Sequence, residues 1–153
     1  MHWAYSISNK LQSILLAVIK FFVNMAERTY DSRIATFRTN QKRGIGTNIE
    51  NWIQNIGITF EYSARDMPEQ NGSAEYSGGV LETKACCIRI AANIPEEIWP
   101  ECILAAMYLL NHIPMKQHNW KSPLEKLSTA LSRSPQAELA HLEVFGCRVY
   151  PLL

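Results

Sequence analysis

The strongest constraint on the fold of this chain is a run of helical spacing that follows a stretch rich in turn-forming residues. Small and apolar residues recur at alternating steps of four and three: Ala74, Gly78, Leu81, Ala85, Ile88 and Ala92. This spacing predicts one buried face of an α-helix. Pro68 and the Asn71-Gly72 pair indicate a loop before that helix. Glu75 is therefore expected in the first helical turn, either as a residue favoured by the helix dipole or as a catalytic acid.

The order of the remaining patterns predicts an α/β fold. Residues 2–7, 33–38 and 58–63 read as strands, because β-branched and aromatic residues recur there between turn signals. A helix from Thr47 or Asn48 to a C-terminal cap at Gly57 separates the second strand from the third. Strands that alternate with helices lie parallel, with the helices as crossovers.

Helices are also expected outside this alternation. The first runs from Gln12 to about Thr29, and we expect its buried stripe to be Leu11, Leu15, Val18, Phe22 and Met25, widened by Ile14, Phe21 and Ala26. Another opens at Trp99 with Pro100 in its first turn. A short one starts at Ser122-Pro123, and residues 142–150 read as a final extended segment.

Composition describes an ordinary globular domain. The chain has 153 residues, 47% of them hydrophobic and 19% charged, which is enough for one core and too apolar for a disordered chain. The net charge of +1 neither favours nor excludes a nucleic-acid partner. A local cluster of five basic residues is either a solvated face or a phosphate-binding patch: Arg28, Arg33, Arg38, Lys42 and Arg43.

The spacing of the four cysteines argues against a zinc-binding protein, and the apolar N-terminal run argues against a membrane-spanning one. Cys86, Cys87, Cys102 and Cys147 lack the spacing of a zinc site, and we expect free thiols in an intracellular protein. The apolar run from Ile14 to Ala26 is interrupted by Lys20 and Asn24 and is too short for a membrane span. The chain is therefore expected in the nucleus or the cytoplasm, away from membranes.

The segment Pro68-Glu69-Gln70-Asn71-Gly72-Ser73-Ala74-Glu75 resembles the signature around the last catalytic carboxylate of the integrases of copia-type retrotransposons. That family belongs to the DDE transposase and retroviral integrase group. The resemblance implies a ribonuclease H-like fold, a mixed sheet flanked by helices. It also implies that Glu75 is the third metal-binding acid.

The resemblance extends over nearly the whole chain. Segments that match the family in order are Trp3-Ala4-Tyr5, residues 37–40, Gly57-Ile58, Ala105 to Tyr108, Lys121-Ser122-Pro123 and residues 144–147. It implies a partial catalytic core over residues 1–115 and a C-terminal extension over residues 116–153. The first and central strand of the family's sheet, which carries the first catalytic Asp, is expected to precede Met1, so that this chain would be a fragment without it.

The family's chemistry requires three carboxylates that hold two divalent ions, Mg²⁺ or Mn²⁺. Asn40 stands where the second Asp is expected and offers a neutral oxygen instead of a charge. Tyr76, Cys86 and His112 replace arginines of the family's pattern. With Glu75 as the one carboxylate of three, the chain is expected to be an inactive remnant that does not catalyse strand transfer. An active enzyme would require Glu61, Asp66 or Glu69 to substitute for Asn40.

The resemblance also implies DNA as a partner and a homo-oligomer as the assembly. Residual DNA binding is assigned to side chains that would contact phosphate rather than bases: Arg33, Arg38, Lys42, Arg43, Arg65, Asn71, Lys84 and Arg89. The alternative function is a host-recruited module without enzymatic activity. In that case an apolar edge left by the missing strand would bind DNA or a protein.

Overall fold

The computed structural model describes residues 1–7, 9–39, 45–62, 68–134 and 139–147, with the backbone alone at 68–74. Its elements are α1 (Gln12–Tyr30), β1 (Thr36–Thr39), α2 (Thr47–Asn55), β2 (Thr59–Tyr62), α3 (Pro68–Ala91), α4 (Trp99–His112) and α5 (Pro123–Ala130), with single 3-10 turns at Glu96–Ile98 and Lys116–His118. The chain divides into two compact units, and one sequence boundary between them lies within α3, after Glu75. Residues 5–75 are called the α/β unit, and residues 1–4 with those from 76 onward are called the helical unit.

The α/β unit contains a parallel strand pair with a helical crossover. β1 pairs with β2 in the register Thr36↔Thr59 to Thr39↔Tyr62, and α2 connects the two strands. Gly57 has a φ of 82°, in the left-handed region, directly after the last turn of α2. A glycine takes up this conformation without the cost of a Cβ, so the helix ends where the sequence predicts. The expected α/β class is confirmed at this level: the molecule has mixed α and β structure.

The core of the α/β unit is built from large aliphatic side chains. Ile19 and Val23 of α1, Ile49 and Ile53 of α2, and Ile58 before β2 are buried together. Phe37 and Phe60 stack across the strand pair, with ring centroids 5.7 Å apart.

Helix α1 is present as predicted, and its buried face matches the prediction only in part. The predicted Ala26 is buried, and the predicted Leu15 and Phe22 pack partly buried against the core. Ile19 and Val23, which were not predicted, are buried, whereas the predicted Leu11 and Phe21 are exposed. Because α1 is apolar on more than one side, spacing alone did not select the side that meets α2.

The core of the helical unit is built from small side chains. Ala85 of α3 packs with Cys102 and Ala106 of α4, and larger apolar residues surround these three. α3 ends at Ala91, and Asn93, two residues later, has a φ of 51°. The Ile94 N–H bonds to the Arg89 carbonyl at 3.0 Å, and the Asn93 N–H bonds to the Ile90 carbonyl at 3.1 Å. These two bonds form a Schellman motif, which satisfies carbonyls at the end of the helix. The predicted start of α4 at Trp99-Pro100 is confirmed.

The N-terminal residues do not form the predicted strand. No strand occurs within residues 1–7, although Trp3, Tyr5 and Ile7 do alternate with smaller residues. A strand requires a backbone partner, and here the peptide groups of His2 pair instead with the side-chain amide of Asn111. Tyr5 packs edge-on against Phe21 and Phe22 of α1. Alternation alone therefore predicted an element that tertiary contacts replace.

Two further boundaries differ from the sequence prediction. α3 begins at Pro68, because proline is well suited to the first helical position and its missing N–H removes no helical bond. The predicted loop at 68–73 is thus helical. Within the predicted extended segment 142–150, residues 144–147 form a turn, since the Cys147 N–H bonds to the Val144 carbonyl and Gly146 has a φ of 85°. Residues 148–150 lie outside the described residues. Within the described ranges, no helix combines the length and the apolar character that a membrane crossing requires.

Candidate functional site

Glu75 lies farther inside its helix than the sequence predicts. Because α3 begins at Pro68, Glu75 follows about two helical turns later, beyond the first turn in which the helix dipole acts. Its side chain is exposed and makes a polar or electrostatic contact within the molecule. Favourable placement beside the helix N-terminus therefore does not account for a carboxylate here.

The second expected ligand, Asn40, lies outside the described residues, directly after the last residue of β1. Since β1 and β2 are parallel, Thr39 and Tyr62 end at the same edge of the strand pair. Catalytic and binding groups in α/β proteins collect at this edge. No three His, Cys, Asp or Glu side chains come together as a metal-ligand group within the residues that the structure describes.

A polar pair at the same edge escaped the sequence reasoning. The Tyr62 hydroxyl donates to the Glu50 carboxylate at 2.9 Å, from the end of β2 to the first turn of α2. Desolvation, together with this hydrogen bond and the negative charge of Glu50, raises the pKa of Tyr62 above its ordinary 10.0. Topology would have located the Tyr62–Glu50 pair, because a parallel β-α-β unit brings the end of its second strand near the start of its helix. The pair holds α2 to β2 at the edge where the two strands end.

The predicted basic residues do not share one environment. Arg38 donates to one carboxylate oxygen of Glu61 through Nε at 3.0 Å and Nη2 at 2.7 Å, and the two residues are register partners in the sheet. Its charge is therefore compensated at the surface. Glu61, one of the three possible substitutes for Asn40, is the partner in this pair. Arg33 is exposed, three residues before β1.

The basic residues of α3 also differ from each other. Lys84 is exposed. Arg89 is partly buried, bonds to the Ile94 carbonyl at 3.4 Å and lies 3.8 Å from Glu96, so it supports the end of α3. Lys42, Arg43, Arg65 and Asp66 lie outside the described residues, and nothing is described of the side chains of Glu69 and Asn71.

A second polar arrangement that sequence reasoning missed joins the N-terminal residues to α4. The buried Asn111 amide accepts from the His2 N–H at 2.7 Å and donates to the His2 carbonyl at 2.8 Å. This is the hydrogen-bonding pattern that a neighbouring strand would supply. The partners are 109 positions apart, so no local pattern could reveal the contact. Asn111 fixes the path of the first residues along α4.

Comparisons with known proteins agree with the breadth of the resemblance. No protein-family model matches the chain. The retrovirus-related Pol polyproteins from transposons RE1 and RE2 of Arabidopsis thaliana are 29% and 28% identical to it over 151 residues, 99% of the chain. The corresponding polyprotein from transposon TNT 1-94 of Nicotiana tabacum is 26% identical over 149 residues. The chain spans about a tenth of the length of these relatives. It is therefore similar, over nearly its whole length, to one segment of retrotransposon Pol polyproteins.

Proposed function

We propose that the chain is a region of an integrase catalytic core of the copia type, with a ribonuclease H-like fold. Its ancestral role is metal-dependent strand transfer in DNA integration. In this chain the reaction is lost, and weak binding to the DNA backbone remains. The assignment to the integrase segment and the loss of its reaction both go beyond the similarity to Pol polyproteins.

The single observation that carries the proposal is the run from Pro68 to Glu75 in its place within the chain. It follows a parallel β-α-β unit whose first strand ends immediately before Asn40. A ribonuclease H-like integrase has this order, with the second acid after a strand and the third acid on the next long helix. Similarity to Pol polyproteins over 99% of the chain supports the same interpretation.

Loss of the reaction follows from the chemistry of the expected donors. Two divalent ions require several negatively charged oxygens, and Asn40 contributes a neutral amide. Replacing one carboxylate removes about 8 kcal/mol of gross attraction to a divalent ion at ~4 Å and an effective dielectric of ~20. Glu75 with Asn40 therefore does not fit a two-metal centre. Glu61 is an unsuitable substitute, because its carboxylate already pairs with Arg38.

A strand-transfer assay tests the loss of activity. Purified chain is incubated with a labelled duplex oligonucleotide and either Mg²⁺ or Mn²⁺, beside its Glu75→Gln and Asn40→Asp variants. We expect no joined product from any of the three proteins. Product from the unmodified chain that disappears in Glu75→Gln would show an active enzyme and overturn the proposed inactivity. Product that persists in Glu75→Gln would indicate a contaminating nuclease or integrase.

Salt dependence of DNA binding tests the residual interaction. Where affinity depends on phosphate contacts, the logarithm of the binding constant falls linearly with the logarithm of the salt concentration. We expect Arg33→Gln and Lys84→Gln each to reduce the slope by about one contact, because both side chains are exposed. Arg38→Gln should change it less, since Glu61 compensates that charge.

The matched control is Lys126→Gln, on the exposed side of α5. It changes the net charge by the same amount as the test variants and should leave the slope unchanged. Glu61→Gln should release Arg38 and tighten DNA binding. Equal losses from all four basic positions would show that binding follows net charge alone. No measurable binding at low salt would remove the DNA-binding part and favour the host-recruited protein-binding module.

A further inference from the structure

The helical unit has an open cavity of about 380 Å³ between α3, α4 and the segment 142–145. Its walls are mainly apolar, with Ala91 of α3, Ala105 and Leu109 of α4, and Phe145 of the covering segment among them. The volume lies within the range of small-molecule sites, which are typically apolar with a few placed polar groups. Among the residues that the structure describes, none of those discussed above as catalytic or DNA-binding lines it.

Small side chains explain why the space exists. Ala91 and Ala92 line it from the end of α3, and Ala105 faces it from α4. α3 and α4 pack through Ala85, Cys102 and Ala106, which are fully buried. The small alanine side chains leave space between α3 and α4, and residues 142–145 border that space.

The covering segment is held at both ends. Before it, His141 Nε2 lies 3.0 Å from the Tyr108 hydroxyl of α4. After it, Gly146 approaches Ala92 so closely that an added Cβ would stand 2.7 Å from the Ala92 Cβ. The φ of Gly146, 85°, also disfavours any residue with a side chain. Residues 142–145 are themselves exposed, so between these two contacts the segment borders the cavity on one side and leaves it accessible.

The charged groups that line the cavity restrict the kinds of molecule that it can bind. Among the described residues that line the cavity, Glu143 is the one carboxylic acid, and none is a lysine, arginine or histidine. An anionic group would therefore meet repulsion and lose its hydration without compensation. Besides Glu143, the polar group of the wall is the Tyr108 hydroxyl, which also contacts His141. These surroundings favour a neutral, mainly apolar molecule with one hydrogen-bonding group.

We propose that this cavity, bounded by Ala92, Ala105, Tyr108 and residues 142–145, is a binding site for a small neutral apolar molecule. Part of its lining, Ala105, Tyr108 and residues 144–145, lies in segments that resemble the integrase family, but the proposal does not require integrase activity. The site depends on the alanine walls for space, on the two contacts of the covering segment for shape, and on Glu143 for rejection of anions.

Two fluorescent probes of nearly the same shape test this inference. Phenylnaphthylamine is neutral, and anilinonaphthalene sulfonate is the same ring system with an added sulfonate. With the full chain we expect saturable binding of the neutral probe at one site, with a Kd of roughly 100 μM or tighter. The sulfonate should bind about tenfold more weakly. Equal affinity for both probes, or a signal that does not saturate, would overturn the proposal.

Variants locate the binding. Ala105→Leu should fill the cavity and weaken the neutral probe about tenfold, whereas Ala130→Leu, at an exposed position of α5, should not change it. Circular dichroism establishes that each variant is folded.

If Ala105→Leu does not fold, Glu143→Lys still tests the site, because residue 143 is exposed and its replacement should not disturb folding. It should strengthen sulfonate binding about threefold and leave the neutral probe unchanged. Glu82→Lys makes the same charge change on the exposed side of α3, away from the cavity. If Glu82→Lys strengthens the sulfonate equally, the effect is one of net charge and the proposed role of Glu143 is wrong.

Discussion

The two compact units of this chain use opposite means of packing. The α/β unit buries Ile19, Ile49 and Ile53 around a short parallel strand pair. The helical unit brings its helices together through Ala85, Cys102 and Ala106. Large aliphatic side chains contribute most of their stabilisation through buried area, whereas small ones allow close helix approach and contribute little area each. The α/β unit should therefore be most sensitive to removed atoms and the helical unit to added ones.

The largest expected effect is the loss of an isoleucine from the α/β unit. Ile53 is fully buried in the core cluster. Ile53→Ala removes buried area and leaves a cavity, which should lower the free energy of unfolding by about 2–5 kcal/mol. Denaturant unfolding measures it. Ile56→Ala, at an exposed isoleucine just beyond the same helix, is the control. Equal losses from both variants would show that α2 is not packed through Ile53.

The complementary change adds atoms to the helical unit. Ala106 has no exposed surface and contacts the Ala85–Cys102 cluster. Ala106→Leu should cost about 1–3 kcal/mol through overpacking, although it adds apolar area. The same replacement at the exposed Ala130 should be near neutral. A stabilising Ala106→Leu would break the comparison, because it would place unfilled space where we infer close contact.

A third change addresses how the helical unit secures its N-terminal residues. Asn111→Leu keeps an apolar core but removes both hydrogen bonds to His2, and should cost about 1–3 kcal/mol. Amide exchange at His2 should become faster. Asn55→Leu, at an exposed position of α2, is the control and should change neither quantity. Unchanged exchange at His2 would contradict the role of Asn111 as a substitute strand partner.

Local chemistry made some of these features predictable and left others hidden. Gly57 and Pro100 set helix boundaries through their own backbone preferences, so the sequence located those ends. Ser122 forms the predicted start of α5, with a capping box to Glu125. The strand order around α2 followed from alternation, and the paired strands confirm it.

The missed features depend on distant contacts or on competing patterns. The pairing of Asn111 with His2 joins residues 109 positions apart, and no local spacing encodes it. The buried face of α1 was only partly predicted, because two of its sides are apolar. Glu75 was placed in the first turn because Asn71-Gly72 signals a turn, yet the helix includes both residues. The candidate catalytic roles of Glu75 and Asn40 remain predictions from the sequence motif.

The smallest expected effect is a change in pH dependence within the helical unit. Hydrogen bonds from the Ser122 backbone N–H, at 2.6 Å, and from its side chain hold the pKa of Glu125 below its ordinary 4.5. A lowered pKa means that the folded state favours the carboxylate. The resulting stabilisation is complete above pH 4.5 and is lost as the pH falls through the lower folded value. Glu125→Gln retains a capping-box residue but cannot ionise.

Unfolding midpoints measured on descending pH should therefore fall less steeply for Glu125→Gln than for the unmodified chain. Glu82→Gln, at an exposed site on α3, should leave the slope unchanged. The α/β unit is held chiefly by apolar area, whereas α5 begins with an ionisable cap, so the acid sensitivity should follow α5. If Glu125→Gln and Glu82→Gln alter the slope equally, the acid response reflects overall charge. The polar cap would then not distinguish the helical unit.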